Sequence, residues 1–167
     1  MSEHVQFEKG AILQEAGQGR ICIYKVESGL LRSFFTDKNG KEHTLVFATA
    51  GWIISDIEAI AFEQSSELTI EALELSSVEI IQVSQLSASK DGEFASEFFR
   101  MMKRAGKLQR RVLMLMSTSA IERYEHFLEV YPDLSPRLTQ RLISSYLGIT
   151  PQALSKLRAG RVGINWK

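Results

Sequence analysis

Apolar and polar positions alternate in short runs over the first half of the chain, then change to a helical period. Ile21–Val26, Leu30–Thr36, His43–Phe47, Leu68–Leu73 and Val78–Val83 each read as a strand. In Glu67–Glu74, Leu68, Ile70 and Ala72 alternate with Glu67, Thr69 and Glu71, which predicts one buried face and one wet face. Gly17, Gly29, Gly40 and Gly51 follow one another at intervals of 12, 11 and 11 residues, after an earlier Gly10. Short strands at that spacing predict a β sandwich or roll. Asp37 to Gly40 is a tight hairpin turn, in which Asn39-Gly40 is expected to supply the positive-φ dipeptide.

From Phe94 the pattern becomes helical. Phe94, Phe98, Met101, Ala105, Leu108, Val112 and Leu115 form a heptad seam, with Lys103, Lys107, Arg110 and Arg111 outside it. Phe99, Met102, Leu113 and Met116 widen the apolar surface beyond one stripe, so a second copy of the chain is expected to cover it. A core helix packed within one chain is the alternative. The helix is expected to end near Ser117. A capping box of Ser119 with Glu122 then starts another helix, from Ala120 to about Tyr131, stopped by Pro132.

Residues 139–158, TQRLISSYLGITPQALSKLR, read as two short helices crossed about a turn. Thr139 opens the first, and Gly148 sits where the chain must turn, since glycine takes positive φ without steric cost. Thr150 caps the second helix, Pro151 to Arg158, whose first position tolerates proline because its N–H has no partner there anyway. Ile143, Leu147, Ile149, Leu154 and Leu157 are apolar where crossed helices touch, and Ser144 is small at their closest approach. This is the pattern of a helix-turn-helix; an ordinary helical hairpin is the alternative. Docked in a major groove, the second helix would present Gln152, Ser155 and Lys156 to base edges: Gln152 suits adenine and Lys156 suits guanine. Thr139, Arg141, Thr150, Arg158 and Arg161 are the candidate phosphate contacts.

The chain of 167 residues has no formal net charge, which alone predicts no polyanionic partner. Distribution changes that picture. Residues 1–99 carry 7 basic and 16 acidic side chains, a formal −9, whereas residues 100–167 carry 13 and 4, a formal +9. A basic second half suits phosphates and salt-dependent affinity. The single cysteine, Cys22, excludes an internal disulfide, a four-thiolate cluster and a zinc finger within one chain, and it is expected to be a buried structural thiol. The longest apolar region, Leu45–Ile54, is too short to span a bilayer, and no targeting segment is visible, so a cytoplasmic protein is expected.

The order of these elements resembles the Crp/Fnr superfamily of bacterial transcription regulators. Four stretches carry the match: Gly29-Leu-Leu-Arg32, Asn39-Gly40-Lys-Glu, Ile121-Glu-Arg-Tyr124, and Ser145-Tyr-Leu-Gly-Ile-Thr-Pro-Gln-Ala-Leu-Ser-Lys156. The likeness runs from about Phe7 to Arg158. It implies an α+β chain with a cyclic nucleotide-binding-like double-stranded β-helix at residues 1–90, a long dimerisation helix at 91–117 and a helix-turn-helix domain at 118–167. It also implies a homodimer on double-stranded DNA, with RNA polymerase as a further partner. Two departures stand out. The chain starts almost at its first strand, and it ends at Lys167, which leaves little room for a wing, so the wing is expected to be truncated or absent.

The resemblance places an effector pocket at Ser55, Asp56, Ile57, Ser66 and Glu67, and Arg32 is grouped with them as a candidate. A cyclic nucleotide needs a carboxylate for its ribose and an arginine for its phosphate. Ser66-Glu67 stands where the arginine pair belongs, so no tight binding of cyclic AMP or cyclic GMP is expected, although a variant pocket in a cyclic nucleotide-binding signalling protein is the second reading. Arg32 and Lys41 are candidates for a rearranged anion site. No cofactor is expected and an unknown small-molecule effector is allowed. An iron–sulfur cluster lacks thiolates, and His4, His43 and His126 are scattered. A cupin-like metalloenzyme would need paired histidines, and no catalytic or metal set appears. A sensor whose helix pair contacts another protein is a further alternative.

Overall fold

The computed structural model describes residues 3–83 and 119–162, the latter as backbone alone at 161 and 162, together with positions 105, 108, 111, 112 and 115. It divides into two compact units, Met1–Ser89 and Lys90–Lys167.

The first unit is a β roll of two four-stranded antiparallel sheets. One has the order β1 (Glu3–Phe7), β8 (Ser76–Gln82), β3 (Cys22–Ser28), β6 (Ile53–Ile54); the other has β2 (Ile12–Gln14), β7 (Thr69–Ala72), β4 (Leu30–Thr36), β5 (Glu42–Thr49). Five strands fall where alternation placed them. β1, β2 and β6 were not anticipated; β2 and β6, of three and two residues, are too short to carry a readable period. A short helix, α1 (Ile57–Ala61), joins β6 to β7.

The inner faces pack Tyr24, Val26, Leu31, Ala48, Ile54, Ile70, Ala72 and Val78, with Phe7, Leu13, Cys22, Trp52 and Ile80 at the margin. Each fully buried aliphatic side chain there contributes about 1.5–3 kcal/mol. Cys22 is half-buried rather than fully enclosed. The Tyr24 hydroxyl donates to the Leu13 carbonyl at 2.9 Å, and burial, helped by Cys22, pushes its pKa up to about 12. β4 is buried on both faces, from Leu30 through Phe34, so it departs from simple alternation.

In the β4–β5 hairpin only Gly40 takes positive φ, at 76°; Asn39 does not, contrary to the expected dipeptide. The reason is loop length: the connection spans five residues, and Asp37 organises it by accepting from the Asn39 and Lys41 N–H groups at 2.9 and 3.0 Å. His43 closes the loop on Asp37 at 2.8 Å and stacks on Phe35. That hydrogen bond, then the one from the Lys41 N–H, holds the Asp37 carboxyl below its usual range.

In the second unit, α2 (Ala120–Val130) starts in the expected capping box: Glu122 N–H donates to Ser119 Oγ, and Glu122 Oε2 accepts from the Ser119 N–H at 2.7 Å. α3 (Gln140–Leu147) and α4 (Pro151–Val162) follow. α4 runs four residues past the expected end at Arg158. An aromatic cluster centred on Phe127, with Tyr124, Tyr131 and Tyr146, fills the core beside Leu134, Leu138, Ile143, Leu147 and Leu154. Of the heptad seam, Ala105, Leu108, Val112 and Leu115 are helical; Ala105, Val112 and Leu115 are exposed and Leu108 is half-buried. Phe94, Phe98 and Met101, with the helix end near Ser117, lie outside the described residues.

Candidate functional site

α3 and α4 are joined by three residues, and each helix carries its own stop or start signal. Thr139 Oγ1 accepts from the Leu142 N–H at 3.3 Å, and Thr150 Oγ1 accepts from the Ala153 N–H at 3.1 Å. Between them Gly148 adopts φ 69°, ψ 29°, the left-handed conformation that ends α3. Ile143, Ser144, Leu147 and Leu154 are buried where the helices meet. Gln152, Ser155 and Lys156 lie on the opposite, exposed side of α4, with Gln152 and Lys156 one turn apart. Thr139, Arg141 and Thr150 are exposed as well. The surface therefore carries one cation, two amide or hydroxyl groups of α4, and a rim of threonine and arginine.

Arg158 is placed differently from its neighbours. It is half-buried, its Nε donates to the Tyr124 hydroxyl at 3.0 Å, and its guanidinium lies 5.5 Å from that ring's centroid. Arg161 lies in α4, with its side chain outside the described residues.

The pocket residues separate into two groups. Asp56 is buried and caps α1: Oδ1 accepts from the Ala59 N–H at 3.1 Å, while Oδ2 accepts from Ser66 Oγ at 2.9 Å and the Glu67 N–H at 3.1 Å. Ser66 Oγ in turn accepts from Gln14 Nε2 at 2.7 Å. Asp56, Ser66, Gln14 and the Glu67 backbone are thus one cluster, and the carboxylate already has three donors. Gln14 was missed in the sequence, because a glutamine in a three-residue strand gives no local sign of its partner. Ser55 turns away to donate to the Cys22 carbonyl at 2.8 Å, Ile57 is half-buried, and Glu67 is exposed.

Arg32 sits in the middle of β4, not in that cluster. Its Nη2 pairs with Glu42 at 2.9 Å and Glu71 at 2.7 Å, and the guanidinium lies 4.0 Å from the Phe34 ring centroid. Two buried atoms of the roll, Gln14 Oε1 and Arg32 Nη1, have no hydrogen-bond partner. A surface cavity of about 360 Å³ opens beside α1, lined by Arg20, Glu63, Gln64, Gln82 and apolar groups including Ile21 and Ile60.

The histidines are each engaged with a carboxylate: His4 with Glu27 at 2.9 Å, His43 with Asp37, and His126 with Glu129 at 3.6 Å. Among the described residues no three His, Cys, Asp or Glu side chains are grouped to hold a metal ion, and no helix is long and apolar enough to cross a membrane.

Residues 4–88, just over half of the chain, match the cyclic nucleotide-binding domain. The chain belongs to that family. Its roll of antiparallel sheets with a short helix before β7 is the corresponding fold. The Crp/Fnr resemblance also stands. A curated relative, the fumarate and nitrate reduction regulatory protein of Vibrio cholerae, is 28% identical over 90% of this chain; the match covers 65% of that protein, a little under two thirds. FixK2 from Bradyrhizobium japonicum superposes with a TM-score of 0.72 at 22% identity, covering 100% of this chain and 90% of that one. A Crp/Fnr-family transcriptional regulator from Thermus thermophilus gives a TM-score of 0.74 at 20% identity, covering 96% and 87%. At those identities the superpositions speak for the fold. The Vibrio and Thermus proteins carry the names of regulators.

Proposed function

We propose that the chain is a cytoplasmic DNA-binding transcription regulator of Crp/Fnr type. Residues 1–90 form the sensor, 91–117 the dimerisation helix and 118–167 a helix-turn-helix domain. The observation that carries this reading is α4 itself: Leu154 is buried on one side, while Gln152, Ser155 and Lys156 stand exposed on the other after a left-handed glycine turn. In a major groove Gln152 pairs with adenine and Lys156 donates to guanine O6 and N7. Thr139, Arg141, Thr150 and Arg161 meet phosphates. Arg158, drawn onto Tyr124, contributes less than its charge implies. The exposed Val112 and Leu115 support a second copy of the chain as partner, and RNA polymerase is the further partner of such a regulator.

Replacing Lys156 with Ala weakens discrimination at one base pair of each half-site by about 1–3 kcal/mol. Binding-site profiles of the two proteins check this; identical profiles remove Lys156 from the readout set.

The sensor responds to a small molecule other than cyclic AMP. In support, Asp56 is satisfied by the chain's own donors, Glu67 brings negative charge where a phosphate would need a cation, and Arg32 is held by two glutamates. The unpartnered Gln14 Oε1 and Arg32 Nη1 favour a polar effector of some kind. Family membership favours the second reading, a cyclic nucleotide-binding protein with a variant pocket. Calorimetry decides between them: no heat is expected with cyclic AMP or cyclic GMP, and a micromolar Kd overturns the first reading.

A further inference from the structure

The last carbonyls of a helix have no partner within it, and its C-terminus attracts positive charge. α3 has no basic residue in its last turn. Two arginines from elsewhere in the same unit serve it. Arg111 Nη2 donates to the Tyr146 carbonyl at 2.7 Å, and Arg123 Nε, on α2, donates to the Leu147 carbonyl at 3.1 Å. The Arg111 guanidinium also lies over the Tyr146 ring, 3.6 Å from its centroid. Leu115, one helical turn beyond Arg111, comes within 3.8 Å of where a Cβ on Gly148 would stand. The helical stretch through 111 and 115 therefore grips the turn from which α4 departs, while its Val112 faces outward.

We propose that Arg111 is a positioning residue for DNA recognition: by holding the end of α3 it sets the angle at which α4 leaves Gly148 and meets the groove. Arg123 holds the same helix end from α2, so the pose of α4 depends on both anchors, but Arg111 belongs to the stretch that carries the heptad seam and so links it to the end of α3. This rests on the reading of α3 and α4 as the DNA-binding unit. Lysine is a poor substitute at position 111, because it keeps the charge but loses the planar fork and the ring stack.

The test uses the full chain with Arg111→Ala and Arg111→Lys. Binding is measured to a selected operator and to a random duplex across salt concentrations, with amide hydrogen exchange at Gly148 and Ile149 on the free proteins. Arg111→Ala is expected to weaken operator binding about tenfold. Random-duplex binding and its salt slope stay unchanged, exchange at the two amides quickens, and Arg111→Lys recovers only part of the loss. If Arg111→Ala fails to fold, Arg111→Lys carries the same comparison. Unchanged operator affinity with unchanged exchange overturns the proposal. So does an equal loss on both duplexes with the salt slope reduced by about 0.9, which marks Arg111 as a phosphate contact. A wild-type chain that does not distinguish operator from random duplex defeats the proposed function instead, and exchange at Gly148 and Ile149 then decides whether Arg111 holds this turn.

Discussion

Two glycines show how one residue type answers to two different constraints. Gly148 has φ 69°, but a Cβ there meets only Leu115, at an ordinary contact distance of 3.8 Å. Gly148→Ala is therefore expected to cost about 1 kcal/mol, the penalty of the left-handed conformation, and Gly148→Val more because a branched Cβ resists positive φ. Gly29 has φ 95° and no room: a Cβ would collide with Ser76 Oγ and come within 2.7 Å of the Leu75 carbonyl oxygen. Gly29→Ala is expected to cost about 3 kcal/mol, since backbone must move as well. Urea unfolding of the variants ranks the costs; equal destabilisation by the two alanines contradicts this account. The sequence marked both glycines as turns but gave no sign that only one is crowded. Arg158 teaches the same lesson, because its partner Tyr124 lies 34 residues away and no local pattern announces the bond.

Among the elements, those with a cap and a long period were legible. The α2 capping box, the Thr139 and Thr150 caps and the glycine end of α3 all follow from local chemistry written within four residues. What stayed hidden was settled by distant contacts: β1 forms by pairing with β8, and the Asp56 cluster draws Gln14 from a strand more than forty residues earlier. The α2 cap also predicts a pH response. Hydrogen bonds from the Ser119 side chain, then from its backbone, lower the Glu122 pKa below its ordinary 4.5. A carboxyl with a depressed folded-state pKa stabilises the fold at neutral pH, and that contribution is lost as pH falls through the folded value. Glu122→Gln is thus expected to be less stable than wild type at pH 7, with the gap closing well below pH 4. Thermal unfolding across that range checks it; a gap independent of pH contradicts it.

For the whole molecule, charge and fold divide along the same line. Residues 3–83, the roll, carry a formal −7, and the +9 of residues 100–167 divides into +6 at 100–118 and +3 at 119–167, the stretch that holds α2, α3 and α4. Such a chain should meet DNA through its second unit alone, with affinity that falls steeply with salt. The central claim, that α4 reads a duplex groove as one of two copies, is tested most directly by selecting bound fragments from random duplex DNA with the purified full chain. The account predicts enrichment of two inverted half-sites about 34 Å apart, with one base preference lost in Lys156→Ala. Recovered fragments without any shared sequence, or with a single unpaired half-site, would contradict it.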